Sequence, residues 1–490
     1  MPPDPSRLSS RLRELLRSKP APAGARDTAR PLERAAGPSD APRELRYVQD
    51  DEVSLRADAP TGCVVIERHY DLQMPHGRQA VAQYGEVLAR CLPALAVLAA
   101  DERASVVSPH ARAGRLQWDG SRGLTDDRRR PGAPTTGPLL FFDLETTGLS
   151  GGAGTLAFLV GCGFFDAEGF HARQFFLSGY EAERELLDAL AALTERFNGL
   201  VTFNGRTFDV PLIETRYLFH RLESPFAAMP HFDMLHPARK LWRRRSIGRP
   251  THRDRWSDGR PGDGASCALG ALEEAILGVQ RFDDVPGFEI PSRYFKYLRT
   301  GDIEPLNAVF EHNRLDLLSL AALTAMAAQM ADDGPSGAPS PHESLAMGQI
   351  YQRLGRWSEA DACFVRAAGL GDAPWEARSV DCDIRADALR CLAIERRRQH
   401  RYEDSADAWR HLLDSGAGPA ATQEARRALA IHHEHRVRDL DAARQFAERA
   451  LASEQDPAEA EALRHRLARL GRKLDRTKGK WEERGEEAPP

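Results

Sequence analysis

Between residues 139 and 203 the chain alternates short apolar runs with one amphipathic stripe, and that order leaves few folds open. Leu139-Leu-Phe-Phe142 reads as a buried strand ending on Asp143. Leu156 to Phe165 is a long apolar run broken by Gly161 and Gly163, and Phe170 to Leu177 alternates as a third strand does. Short glycine-containing turns separate the three, which predicts a meander. Glu181 to Phe197 then sets Leu186, Leu187, Leu190, Leu193 and Phe197 on one helical stripe. Leu200-Val-Thr-Phe203 is a fourth strand, and Pro211 suits the first turn of the helix that follows. This order predicts an α/β domain with a mixed central sheet flanked by helices.

At 490 residues the chain is too long for one domain. Residues 1–45 carry eight prolines among Arg, Ala, Ser and Gly and are expected to be a disordered tail. Residues 46–137 form an accessory region to which the sequence assigns no role, with a strand-like run at Gly62–Ile66 and a helical stretch from Gln79 to Ala100. The patterned block occupies 138–332. Residues 333–341 (DGPSGAPSP) read as a linker, 342–472 as helical repeats, and 473–490 as a charged tail. The purest apolar stretch, Cys91 to Ala100, has ten residues against the roughly 18–20 a membrane span needs, so no membrane partner is expected. Seven scattered cysteines with no CxxC pair predict reduced thiols and a cytoplasmic chain. No Cys/His cluster has the spacing of a tetrahedral zinc site, and none is expected.

Three short motifs in the central block carry chemistry. Asp143-x-Glu145 stands where the first strand ends, in FFDLETTGL, and a period of two puts both carboxylates on one face, where they could share a hard divalent cation. Thr146-Thr147-Gly148 adds hydroxyls and an exposed amide suited to a phosphate or terminal nucleotide. Phe203-Asn204-Gly205-x-x-Phe208-Asp209 sits at a strand-to-helix junction, where Asp209 could equally cap the helix. Packing is the expected role of Phe208. In the helix expected from about Pro305 to Met330, His312 and Asp316 are one turn apart and share a face.

Acids in the order DxE…D…D, at two strand ends and one helix, resemble the DEDD exonuclease superfamily on a ribonuclease H-like fold. The resemblance covers about 138–330 and narrows to the YprB-like group through the strings GTLAFLVGCGFF, CALGALEEAILG and RFDDVPGFEIPSRYFKYLRTGD. It implies that Asp143, Glu145, Asp209 and Asp316 are catalytic acids holding two divalent cations, Mg²⁺ or Mn²⁺. It further implies a metal-dependent nuclease, foremost a 3′→5′ exonuclease with a two-metal mechanism. The superfamily has one form with Tyr four residues before the last Asp and another with His five before it. Here His312 stands four before Asp316, in the tyrosine position, and is expected to face the attacking water as general base. Asp233 in HFDMLHPA is read as a supporting or capping acid. Two other readings stay open: a catalytically silent nucleic-acid-binding scaffold, and an endonuclease acting on structured substrates.

The net charge of −5, from 67 Lys+Arg against 72 Asp+Glu, speaks against a simple basic nucleic-acid binder. That average hides a local concentration. From Arg239 to Arg255 there are eight Lys/Arg and one acid, with Trp242 inside, which suits single-stranded nucleic acid or a 3′ end. Thr146, Asn204, Arg243, Arg244 and Arg245 are the candidate substrate-binding residues. Toward the C-terminus, Gly348, Tyr351, Gly355, Trp357, Ala360, Phe364 and Ala367 resemble a tetratricopeptide unit. Tyr402, Ser405, Trp409 and Leu412, then Leu440, Ala443 and Ala450, echo it at unequal spacing. Three helical hairpins are expected, either binding a protein partner or buttressing the nuclease domain.

Overall fold

A computed structural model describes residues 46–49, 62–105, 139–148, 154–243, 267–281 and 284–482. The strands are β1 (Arg46–Gln49), β2 (Cys63–Asp71), β3 (Pro75–His76), β4 (Gln79–Ala80), β5 (Leu139–Thr146), β6 (Ala157–Phe165), β7 (Gly169–Leu177), β8 (Gly199–Thr202) and β9 (His231–Asp233). Seven of them form one sheet in the order β1-β2-β7-β6-β5-β8-β9, and β3 pairs with β4 alone. β5, β6 and β7 are the expected antiparallel meander. β8 and β9 add parallel strands beyond β5, so the sheet is mixed. The N-terminal region supplies β2, which pairs antiparallel with β7 over nine residues, and β1 beside it.

Helices cover both faces: α1 (Val81–Cys91), α2 (Leu95–Ser105), α3 (Glu183–Thr194), α4 (Asp209–Phe219), α5 (Leu235–Trp242), α6 (Leu269–Leu272), α7 (Ile290–Thr300) and α8 (Glu304–Asp332). Alternation along β5 decides which core each side chain enters. Leu139 and Phe141 join Phe170, Ala172 and the apolar side of α8, while Leu140, Phe142 and Leu144 face α3 and Tyr294 of α7. Asp143 and Glu145 therefore continue the Leu139/Phe141 face, under α8. That helix rests close on the sheet because Gly161 and Gly163 of β6 present no side chain: a Cβ at Gly161 would overlap the Asn313 carboxamide, and one at Gly163 would reach Leu317 and Phe141.

Two helical stretches, Val81–Ala100 and Glu304–Asp332, have the length and mean hydropathy of a membrane span, although neither is one unbroken apolar run. The first is broken by a 3₁₀ turn at Leu92–Ala94 carrying Pro93, and packs on α8. The second is α8 itself, whose alanines and leucines lie mostly inside the protein as a core helix.

The C-terminal region is all helical. α9 (Pro341–Arg353) packs with α10 (Trp357–Ala367), α11 (Cys382–Arg398) with α12 (Tyr402–Leu413), and α13 (Pro419–His432) with α14 (Leu440–Leu451), before α15 (Pro457–Glu482). Trp357, Tyr402 and Leu440 each open the second helix of a pair. Gly348 lets α10 approach, since a Cβ there would lie 2.6 Å from the Phe364 ring. The Pro/Gly run at 333–341 is a packed turn, with Ala338 buried and Ser340 capping α9. α15 continues past residue 472 and is fastened by buried Glu434, which pairs with Arg466 at 2.6 Å, Arg469 at 2.7 Å and Lys473 at 2.8 Å.

Candidate active site

Three elements converge at the end of β5. α8 lays Asn313 over Gly161, and Gln174, the β7 residue paired with Gly161, donates from Nε2 to Asn313 Oδ1 at 2.8 Å and to the Phe310 carbonyl at 2.9 Å. With its oxygen so engaged, Asn313 turns Nδ2 to donate to Asp143 Oδ2 at 2.8 Å. Sequence reasoning passed over both residues. The available signal in the sequence was a Gln standing directly before Phe175-Phe-Leu177 in the strand-like run Phe170–Leu177.

Asp209 opens α4, just beyond β8, and the backbone N–H groups of Asp209 itself and of Leu144 donate to its carboxylate. The turn leading to it holds Asn204 at φ 67°, a left-handed conformation that Asn tolerates. Buried Asp233 at the end of β9 fixes that turn: Oδ1 accepts from the Asn204 and Leu235 N–H groups at 2.7 and 3.1 Å, and Oδ2 from the Arg206 N–H at 3.1 Å. Asp233 thereby braces the turn that leads to Asp209. Thr146 Oγ1 donates to the Gly148 carbonyl at 2.9 Å and so stiffens the turn beside Glu145. Phe208 contradicts its expected packing role, since the ring is 54% exposed next to Asp209. It stands at the start of a helix whose buried stripe begins farther along, at Ile213.

His312 and Asp316 project from α8 toward the same place. His312 Nε2 lies 3.5 Å from Asp316 Oδ2 and 3.9 Å from Glu145 Oε1, while Nδ1 lies 2.6 Å from Asp284 Oδ1. Nδ1 thus meets the Asp284 carboxylate and, at 3.3 Å, Arg281 Nη1, while Nε2 points at the Glu145 and Asp316 carboxylates. Arg281 forms ion pairs with Asp316 and with fully buried Glu273, and its Nη1 is 3.5 Å from Asp284 Oδ2. Arg281 and Asp284 belong to the string that carried the resemblance, yet no spacing rule marked either as part of the site.

Crowding sets the electrostatics. Burial first, then the charges of Asp316, Glu145 and Asp209, push the Asp143 carboxyl well above its ordinary range, against the opposing hydrogen bond from Asn313. Burial followed by Asp316, Asp209 and Asp284 does the same to Glu145. Asp209 is raised to about 7, by burial first and then by Asp233 and Asp316. The site stays open to small solutes, for Glu145, His312 and Asp316 keep 13%, 17% and 16% of their side-chain surface. Among the described residues no lysine or arginine pairs with Asp143, Glu145 or Asp209, whereas Asp316 has Arg281. Carboxylates that raise one another in this way all offer oxygen, the donor type a hard divalent cation takes.

Residues 140–328, which contain all four acids and His312, match the family model of the RNase_H superfamily. The chain is 31% identical over 344 residues to the uncharacterized protein YprB of Bacillus subtilis (strain 168), an alignment covering 68% of this chain and 75% of YprB. The chain belongs to the YprB family. Its residues 140–328 form a ribonuclease H-like domain, a class of nucleic-acid hydrolases that typically use divalent metals.

The basic strip of this YprB-family chain is only partly described. Arg243 is exposed at the C-terminal end of α5, and Arg244 and Arg245 lie outside the described residues. Trp242, expected among the basic residues as a ring for bases, is 1% exposed and belongs to the core with Leu241 and Ala238. The apolar stripe of α5 claims it, so it offers no stacking surface.

Proposed function

We propose that this chain is a divalent-metal-dependent nuclease that trims nucleic acid from a 3′ end, with Asp143, Glu145, Asp209 and Asp316 as the metal-holding acids. The observation that carries the reading is the trio Asp143, Glu145 and Asp209, crowded with no lysine or arginine paired to them among the described residues and set beside the His312 imidazole, whose Nε2 lies 3.9 Å from Glu145 Oε1. Divalent cations bound by these acids, two Mg²⁺ or Mn²⁺ in this proposal, supply Lewis acidity at a phosphodiester and acidify a water. The chain's own residues do the rest. Asn313 holds Asp143 in place, and Asp284 braces His312 at Nδ1, leaving Nε2 turned toward the acids, where it would accept a proton from the attacking water. Arg281 balances Asp316 and, through its contact with Asp284, braces the imidazole's support. Asn204 and exposed Phe208 flank Asp209, where a terminal nucleotide would sit, and Thr146 borders Glu145. Arg243, with Arg244 and Arg245, would draw the phosphate backbone toward the site.

The decisive experiment is degradation of end-labelled single-stranded and duplex DNA and RNA with Mg²⁺ or Mn²⁺, by wild type and Asp143→Ala. Stepwise loss of 3′ nucleotides by wild type alone is expected. Equal activity of the two proteins would sink the enzyme reading, and cleavage of circular or 3′-blocked substrates would replace exonuclease by endonuclease.

Two further proposals concern context. Seven scattered cysteines, none disulfide-bonded, support a cytoplasmic location. The helical pairs, read as tetratricopeptide-like, border a cleft of about 620 Å³ lined by Arg397, Arg436 and Tyr402 together with Glu424, and by Arg398 and Arg427, which pair with Glu395 and Glu459; in this proposal it receives a segment of a protein partner.

A further inference from the structure

A second group of metal-type donors lies at the other end of the sheet. His69 of β2 and His171 of β7 are directly opposed in the antiparallel register, with ring centroids 4.7 Å apart. Their neighbours Tyr70 and Phe170 enter the core under α8, so alternation puts both imidazoles on the opposite face. Glu168, in the turn joining β6 to β7, brings a carboxylate to the same place. One nitrogen of each ring and one Glu168 oxygen all lie within 4.8 Å of one another.

The surroundings hold this arrangement. Asp166 Oδ1 accepts the N–H groups of Glu168 and Gly169 at 2.8 and 3.2 Å, fixing the turn, and its other oxygen lies 2.7 Å from His171 Nε2. The His171 ring stacks on Phe164 at 5.3 Å with an 8° tilt. Gly169 leaves room beside His69, since a Cβ there would lie 2.9 Å from His69 Nε2 and collide with the Tyr70 carbonyl. Two residues along the ladder, Glu67 and Arg173 pair with each other, so the neighbouring arginine is already engaged.

We propose that His69, His171 and Glu168 bind one first-row transition-metal dication of the Zn²⁺ class, which staples β2 to β7. Two imidazoles and one carboxylate are a borderline donor set that suits Zn²⁺ or Co²⁺, with a fourth position left for water. Mg²⁺ prefers oxygen alone, so the two sites select different ions. A tetrahedral ion with bonds of about 2.0–2.1 Å needs ligand atoms roughly 3.3–3.4 Å apart, a closure within reach of the exposed side chains His69 and Glu168. The site is separate from the acid cluster: Asp143 opposes Gly161, and Asp166, just past the end of β6, follows five residues later, roughly 16 Å along the strand direction. The ion would join the N-terminal strand to the nuclease sheet, contributing stability rather than chemistry.

The test uses the full chain, stripped of metal and then kept in excess Mg²⁺ so that the acid cluster is saturated. Co²⁺ is titrated by its visible absorption and displaced with Zn²⁺, and thermal unfolding is followed alongside. One equivalent per chain and a rise in Tm are expected. His69→Gln, at an exposed position, should weaken Zn²⁺ binding at least about tenfold and abolish the rise, and Glu168→Gln should weaken it less. His171→Gln should match His69→Gln, while Asp143→Asn should bind Zn²⁺ as wild type does. Zn²⁺ affinity unchanged in His69→Gln, or no Zn²⁺ retained by wild type in excess Mg²⁺, would overturn the proposal.

Discussion

Replacing Asp209 by asparagine should stabilise the metal-free protein at neutral to alkaline pH, although it removes a proposed metal ligand. The crowded site raises the Asp209 carboxyl from 3.8 to about 7. That is roughly three units, so holding it ionised in the folded chain costs up to about 4 kcal/mol relative to the unfolded one. A carboxyl raised on folding leaves stability intact below its unfolded value and erodes it as pH climbs through the folded value. The loss therefore develops between about pH 4 and pH 8. A carboxamide of nearly the same shape carries no charge, and Asp209→Asn escapes the loss. Chemical denaturation in EDTA at about pH 4.5 and pH 8, for both proteins, gives the comparison. Near-equal stability at the lower pH and a variant ahead by about 1–4 kcal/mol at the higher are expected. Mg²⁺ at pH 8 should restore the wild type and leave the variant little changed. A variant that is less stable at pH 8 in EDTA, or a difference independent of pH, would refute the account of the site as a store of unbalanced charge.

Asp284→Asn should lower kcat about 10–100-fold with KM nearly unchanged, because Asp284 orients His312 rather than substrate; an unaltered kcat in Asp284→Asn, or a loss carried by KM alone, would count against it. Gly161→Ala forces a methyl group into the Asn313 carboxamide, so chemical denaturation should show a loss of about 1–3 kcal/mol together with reduced activity. Glu434→Gln removes the anchor of α15; burial pushes that carboxyl up, but Arg469 and Lys473 outweigh it and hold the group down at about 2, so its contribution is present above the ordinary carboxyl range near 4.5 and fades as pH falls toward 2. After screening of the partly exposed partners, about 1 kcal/mol at neutral pH is expected, with earlier proteolysis of α15.

Much of the site was legible because its parts obey local periodicities. A repeat of two put Asp143 and Glu145 on one face of β5, and a helical turn put His312 above Asp316. The meander, the helix over Glu183–Thr194 and the long helix α8 all followed from hydrophobic spacing within a few residues of their observed ends. Where prediction failed, a side chain was judged by its neighbours in sequence. Trp242 sat among arginines but belonged to the apolar stripe of its helix, and Phe208 looked like packing but stands beyond the buried part of α4.

What the sequence determined by itself is therefore the set of elements and the chemistry each carries: a strand ending in paired acids, a second acid at a strand-to-helix junction, and a helix bearing an imidazole and a carboxylate. The tertiary structure alone decided what those groups meet. Asp284 reaches His312 across 28 residues and Gln174 reaches Asn313 across 139. His69 meets His171 only because β2 pairs with β7 in that register. The absence of a zinc-type spacing in the sequence foretold no such group, because spacing rules describe ligands carried on one turn or loop. Residues on opposed strands are brought together by backbone hydrogen bonds and apolar burial, which place no constraint on how far apart they stand along the chain.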